Sequence, residues 1–280
     1  MLSPSRNHGM WDTMWPFKRQ PLLDPDTARW HVDNACWFLR RLAQVSDVQK
    51  RQLILPGPGF YKLGKATGQA LADRIIDQTR YMAGLTDWTL DVIVYDDNAM
   101  LFELREEEDV DSDEPEETPD LKDGGETQNQ TWPPELDTTP IHYPESAAND
   151  PFRFIIFIAR VLAWRVAVSC AEEPPCDNSE HAGLMDLAAC LMGFGVFLSD
   201  AAIGSVSRSG YRYGYVEYFQ SSDLSETELL FDLALFLVAH DLPAGNTQEY
   251  LKVALVEPFL HALEDAQAYR QELRLARDAY

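Results

Sequence analysis

The run "LMDLAACLMGFGVFLSDAAI" at residues 184 to 203 constrains this chain most. A stretch so apolar must either cross a membrane or sit at the centre of a core. Asp186 and Asp200 lie near its ends and leave only thirteen uncharged residues from Leu187 to Ser199, short of the roughly 20 that a spanning helix needs. The run therefore reads as a buried central helix, and no membrane association is expected.

A buried helix needs apolar faces around it, and 280 residues with 45% hydrophobic side chains can supply them in one large domain. "LDPDTARWHVDNACWFLRRLA" places Asp24 as N-cap, Pro25 at the first helical position and Trp30, Cys36, Trp37 and Leu42 at helical spacing, predicting a helix over 25–43. "RQLILPGPGFY" reads as an extended piece closed by turns. "KATGQALADRIIDQTRYMAGL" is a second amphipathic helix ending near Gly84, and "TLDVIVYDD" a strand. A second strand over 139–143 leads into "NDPFRFIIFIARVLAWRVAVSC", where Asp150 caps and Pro151 starts a helix to about Ser169. The central helix covers 180 to 203. "SGYRYGYVEYF" is a strand or hairpin arm, and Ser225 with Glu228 forms a capping box before a helix over 226–239. A last helix is expected from Asn246, kinked or restarted at Pro258. The fold class is α+β, mainly α, with a small sheet.

Charge is distributed unevenly. The net charge is −23, of which −11 falls on residues 103 to 126, where thirteen acids face Arg105 and Lys122. Such composition cannot repay the entropy of ordering, so 103–136 is expected to be a disordered acidic insertion. It separates an N-terminal tail (1–21) and an N-terminal α/β part (22–102) from a helical part over 137–280. An acidic surface excludes ordinary nucleic-acid binding, which rests on clustered Lys and Arg. The four cysteines form no CxxC pair, and the first twenty residues lack the apolar core of a signal peptide, so a cytoplasmic protein with free thiols is expected.

Three stretches, "HYPESAANDPFRFIIFIARVLAWRV", "MDLAACLMGFGVFLSDAAI" and "GYVEYFQSSDLSETELLFDLALFL", resemble in that order a bacterial family with a zincin-type HExxH helix. The resemblance covers about residues 22 to 240, except that the acidic insertion is longer here than the family pattern requires. It implies a zincin-like helical domain, and it puts Arg160 at the first His, Val161 at the Glu and Trp164 at the second His. Two His four apart would give neutral nitrogens to Zn²⁺, and the Glu would take a proton from metal-bound water. Arg160 has no lone pair to donate, Val161 cannot exchange a proton and the Trp164 indole only donates. The resemblance also aligns Asp186 with an acidic residue that serves the metal as third ligand or as its support. An Arg160–Asp186 ion pair filling the vacated position is the resulting expectation; the alternative is that both are separately solvated.

No other constellation reaches this specificity. His142, Glu145, Glu180, His181, His240 and His261 are scattered without paired spacing, so no metal and no cofactor are expected. There is no GxSxG, and "GPGFYKLGKATG" lacks phosphate-loop spacing. Tyr211, Tyr213, Tyr215, Tyr218 and Phe219, interleaved with Arg208 and Arg212, suit an interaction surface or ordinary strand packing. The expected function is a non-catalytic relative of a zinc-metallopeptidase-like family that binds a protein or small molecule through Arg160, Trp164, Asp186, Arg212, Tyr213 and Tyr215. The alternatives are an acidic inhibitor or immunity-type protein engaging a basic partner, or an enzyme of another type.

Overall fold

The structure is a computed structural model that describes residues 19–46, 51–95, 141–144, 150–209, 214–220 and 222–279. It is mostly helical. Helix α1 (Pro25–Val45) starts where Asp24 accepts the Asp26 and Thr27 N–H groups at 3.1 and 3.0 Å, with Pro25 spending no amide at a position that has no helical acceptor. Helix α2 (Gly68–Met82) buries Leu71, Ala72, Ile75, Ile76 and Thr79. Strands β1 (Val92–Tyr95) and β2 (Ile141–Pro144) pair in parallel with Val92 opposite Ile141, and residues 103–136 fall in the crossover between them, outside the described residues. Gln69 at the start of α2 satisfies the other edge of β1. Its amide donates to Val92 O and accepts from Val94 N, both at 2.8 Å, which removes a ready template for a foreign strand.

Helix α3 (Pro151–Val168) is capped by Asp150, whose carboxylate accepts Arg153 N–H at 3.2 Å, and its buried stripe includes Phe154, Ile158, Leu162 and Val166. The apolar run does not form one helix to residue 203. It divides into α4 (His181–Ala189), a π turn (Cys190–Phe194) and α5 (Gly195–Ala201), and β3 (Ile203–Ser209) begins two residues later. The division falls at Gly193, where φ is +104°, a conformation that side chains other than glycine rarely adopt. Ile54 N–H donates to the freed Gly193 carbonyl at 3.0 Å, so the extended piece after residue 51 docks against the kink. This helical run is long and apolar enough to cross a membrane, yet it is 89% buried inside the fold, where it works as a core helix.

Strand β3 pairs antiparallel with β4 (Gly214–Gln220). Helix α6 (Glu226–Ala239) follows its Ser225–Glu228 capping box and is buried on nearly all sides, which explains the absence of a polar stripe. After α7 (Gly245–Gln248) the chain breaks, and α8 (Val253–Ala266) restarts five residues before the proline expected to interrupt it. Pro258 sits in the second turn of α8 rather than at a boundary. Helix α9 (Arg270–Arg277) closes the described chain against α1 and α6. Helix α6 is thus surrounded by α5, α8, α9 and α1, with α3 and α4 completing the core. Each fully buried Phe or Leu contributes about 2 kcal/mol of transfer free energy to this centre.

Candidate functional site

Arg160 leaves α3 three turns from its start and is only partly covered, with a side chain 24% exposed. Its Nε lies 2.8 Å from Asp186 Oδ1, and its Nη2 donates to Asp223 Oδ2 at 2.9 Å. Asp186 belongs to α4 and is fully buried. Its other oxygen, Oδ2, accepts the Ser222 hydroxyl at 2.6 Å and the Asp223 N–H at 3.0 Å, while Ser222 Oγ accepts the Leu224 N–H at 3.1 Å. The expected ion pair is therefore formed, and it is larger than a pair. One guanidinium bridges two carboxylates and ties the segment leading from β4 into α6 onto α3 and α4. Burial raises the Asp186 carboxyl above its usual range, and Arg160, Ser222 and the Asp223 amide return only part of that cost.

The neighbouring positions are filled by packing. Val161 is half-buried against the core, and the Trp164 ring lies 5.4 Å from the His181 ring at 49°. Burial pushes the His181 imidazole below its usual range, although Glu173 and Glu180 oppose it. Arg160 and Trp164, one turn apart on α3, thus both face α4, the first meeting Asp186 and the second His181. Arg212 and Tyr213 lie outside the described residues, and Tyr215 is paired through its backbone with Arg208 in the β3–β4 hairpin.

Of the scattered metal-ligand candidates, Glu145 and the side chain of His142 lie outside the described residues, and the others have separate surroundings. His240 is half-buried against Phe236, with its imidazole held down at about 3 by desolvation and by Arg51 and Arg277. Glu180 closes a capping box with Asp177, and the His261 carbonyl accepts from Arg19. Among the described residues no three His, Cys, Asp or Glu side chains converge as a metal site, and the four cysteines are free thiols.

A second buried polar cluster has no counterpart in the sequence reading. His31 Nδ1 on α1 donates to Asp232 Oδ1 on α6 at 2.7 Å, and His31 Nε2 lies 3.5 Å from Glu228 Oε1. Burial disfavours the imidazolium, but the charge of Asp232, its hydrogen bond and Glu228 outweigh it and lift His31 to about 9. The nearby His31 imidazolium is the largest influence bringing Glu228 down to about 2, with Ser225 adding to it against the cost of burial. Asp232 is a carboxylate in the middle of "ETELLFDLALFLVA", an otherwise apolar helix, and that misfit was the available signal for a buried partner. Glu228 also caps α6 next to Asp223, so the two clusters meet at the segment 222–228.

Comparison extends no further than the geometry: no family model, curated protein or solved structure matches the chain. The fold is mainly helical, with two polar clusters that share the N-terminal half of α6 and the segment leading into it.

Proposed function

We propose that this chain is a non-catalytic relative of the zinc-metallopeptidase-like family it resembles, acting in the cytoplasm as a binding or regulatory protein. The observation that supports this reading is the contact of Arg160 with the buried Asp186 at 2.8 Å, on the helix and against the acid that the resemblance assigns to a metal centre. A guanidinium neutralises the carboxylate as a cation would, but it offers neither an open coordination position nor a water of lowered pKa. Val161, packed against the core, takes no proton. On this reading the cluster keeps an architecture that a metal would have held together and turns it to support of the segment at Ser222 and Asp223.

A peptidase assay on casein with and without EDTA tests the reading. The proposal expects no cleavage above buffer in either condition. Cleavage that the chelator abolishes would refute it.

A further inference from the structure

The outer face of α1 meets α9 in a cleft of about 410 Å³, within the range of small-molecule sites. Arg29, Asp33, Cys36 and Arg40 line it from α1, at spacings of four, three and four residues that place them along one helical face. Glu272 and Leu275 line it from α9, and Pro175 closes one side. Arg29 is committed, pairing with Asp33 and with Glu272 at 2.9 Å. Arg40 is not. Among the arginines whose side chains are described, it alone has neither a carboxylate nor a carbonyl partner, in a chain with twice as many acids as bases. Leu275, which also lines the cleft, is 67% exposed.

We propose that this cleft binds a small, singly charged carboxylate with an apolar body, its carboxylate on Arg40 and its hydrocarbon part against Cys36, Pro175 and Leu275. The guanidinium fork matches a carboxylate with two parallel N–H bonds. A single negative charge is selected because Arg29 faces two carboxylates. Arg29 is taken up by Asp33 and Glu272, so Arg40 is the one uncommitted cation lining the cleft, and a second negative charge on the ligand would meet only those two acids. The Cys36 thiol, raised to about 11 mainly by burial, stays neutral and adds no repulsion. This site is separate from Arg160, and its failure would leave the reading of that cluster untouched.

Calorimetric titration of the full chain with octanoate, octyl phosphate and N-acetyl-leucine tests the proposal, together with alkylation of Cys36 by iodoacetamide at alkaline pH, where part of the thiol is ionised, followed by peptide mapping. Octanoate or N-acetyl-leucine binds, and Arg40→Gln weakens that binding at least roughly tenfold, as expected for loss of a charge-assisted bond. The bound carboxylate slows Cys36 alkylation in the native chain and not in R40Q. Whichever carboxylate binds more tightly tells whether the natural source is an acyl chain or a peptide terminus. Circular dichroism confirms that R40Q is folded. Absence of carboxylate binding, equal affinity in R40Q, unprotected Cys36, or tighter binding of octyl phosphate would each overturn the assignment.

Discussion

Replacing Asp186 with Ala perturbs the Arg160 cluster at its most buried member. The substitution removes the contact to Arg160 Nε at 2.8 Å and leaves the Ser222 hydroxyl and the Asp223 N–H without their acceptor. Stripping one partner from a buried pair costs about 3–5 kcal/mol. Arg160 keeps Asp223 and is 24% exposed, which places the expected loss near the lower end, about 3 kcal/mol, a substantial share of the ~5–15 kcal/mol of a typical domain. Burial raises the Asp186 carboxyl by more than its partners lower it, so the intact pair is a poor source of net stability. The double replacement Arg160→Met with Asp186→Leu should therefore lie closer to the native protein than D186A does. Urea unfolding with linear extrapolation measures all three. A D186A loss below about 1 kcal/mol, or a double variant less stable than D186A, refutes the argument.

Three further outcomes follow from the same structure. The folded value of His31, about 9, lies above its ordinary 6.5, so its contribution is complete below about 6.5 and is lost as pH rises through 9. That gap corresponds to ~3 kcal/mol, and the difference in unfolding free energy between native protein and His31→Gln should shrink by this amount between pH 6 and pH 10; a constant difference would contradict the charged His31–Asp232 pair. Gly193→Ala puts a Cβ 2.7 Å from Gln52 O at φ +104° and should cost about 3 kcal/mol, lowering Tm in a thermal melt; an unchanged Tm would show that the kink tolerates a side chain. Gln69→Ala frees one edge of β1, and hydrogen exchange at the Val94 amide should accelerate at least tenfold while α6 amides stay protected; equal exchange would mean that another group covers the edge.

Much of this architecture was legible where local chemistry decides it. Asp24 with Pro25, Asp150 with Pro151, and Ser225 with Glu228 each announce a helix start through side chains that satisfy orphan amides, and each helix begins there. The Arg160–Asp186 contact was legible only because the resemblance aligned the two positions, 26 residues apart in the chain. What escaped has a different cause. The division at Gly193 depends on Gln52 and Ile54 crossing the helix, a tertiary contact that apolar periodicity does not carry. Ser222 and Asp223 fall between the predicted strand and the predicted helix, and only the return of the β3–β4 hairpin brings them to α4. His31 looked like one more member of an amphipathic helix, since its partners Glu228 and Asp232 are about 200 residues away. The cleft beside Arg40 arises between α1 and α9, the two ends of the described chain, and no local pattern joins them.

The central proposal is that a guanidinium, an isopropyl group and an indole stand where the family this chain resembles has a zinc centre. Elemental analysis of the purified full-length chain, after incubation with one equivalent of Zn²⁺ and desalting, tests it most directly. The account predicts zinc far below one ion per chain, with the same residual content in the native protein and in D186A. One ion per chain, reduced by D186A, would contradict it.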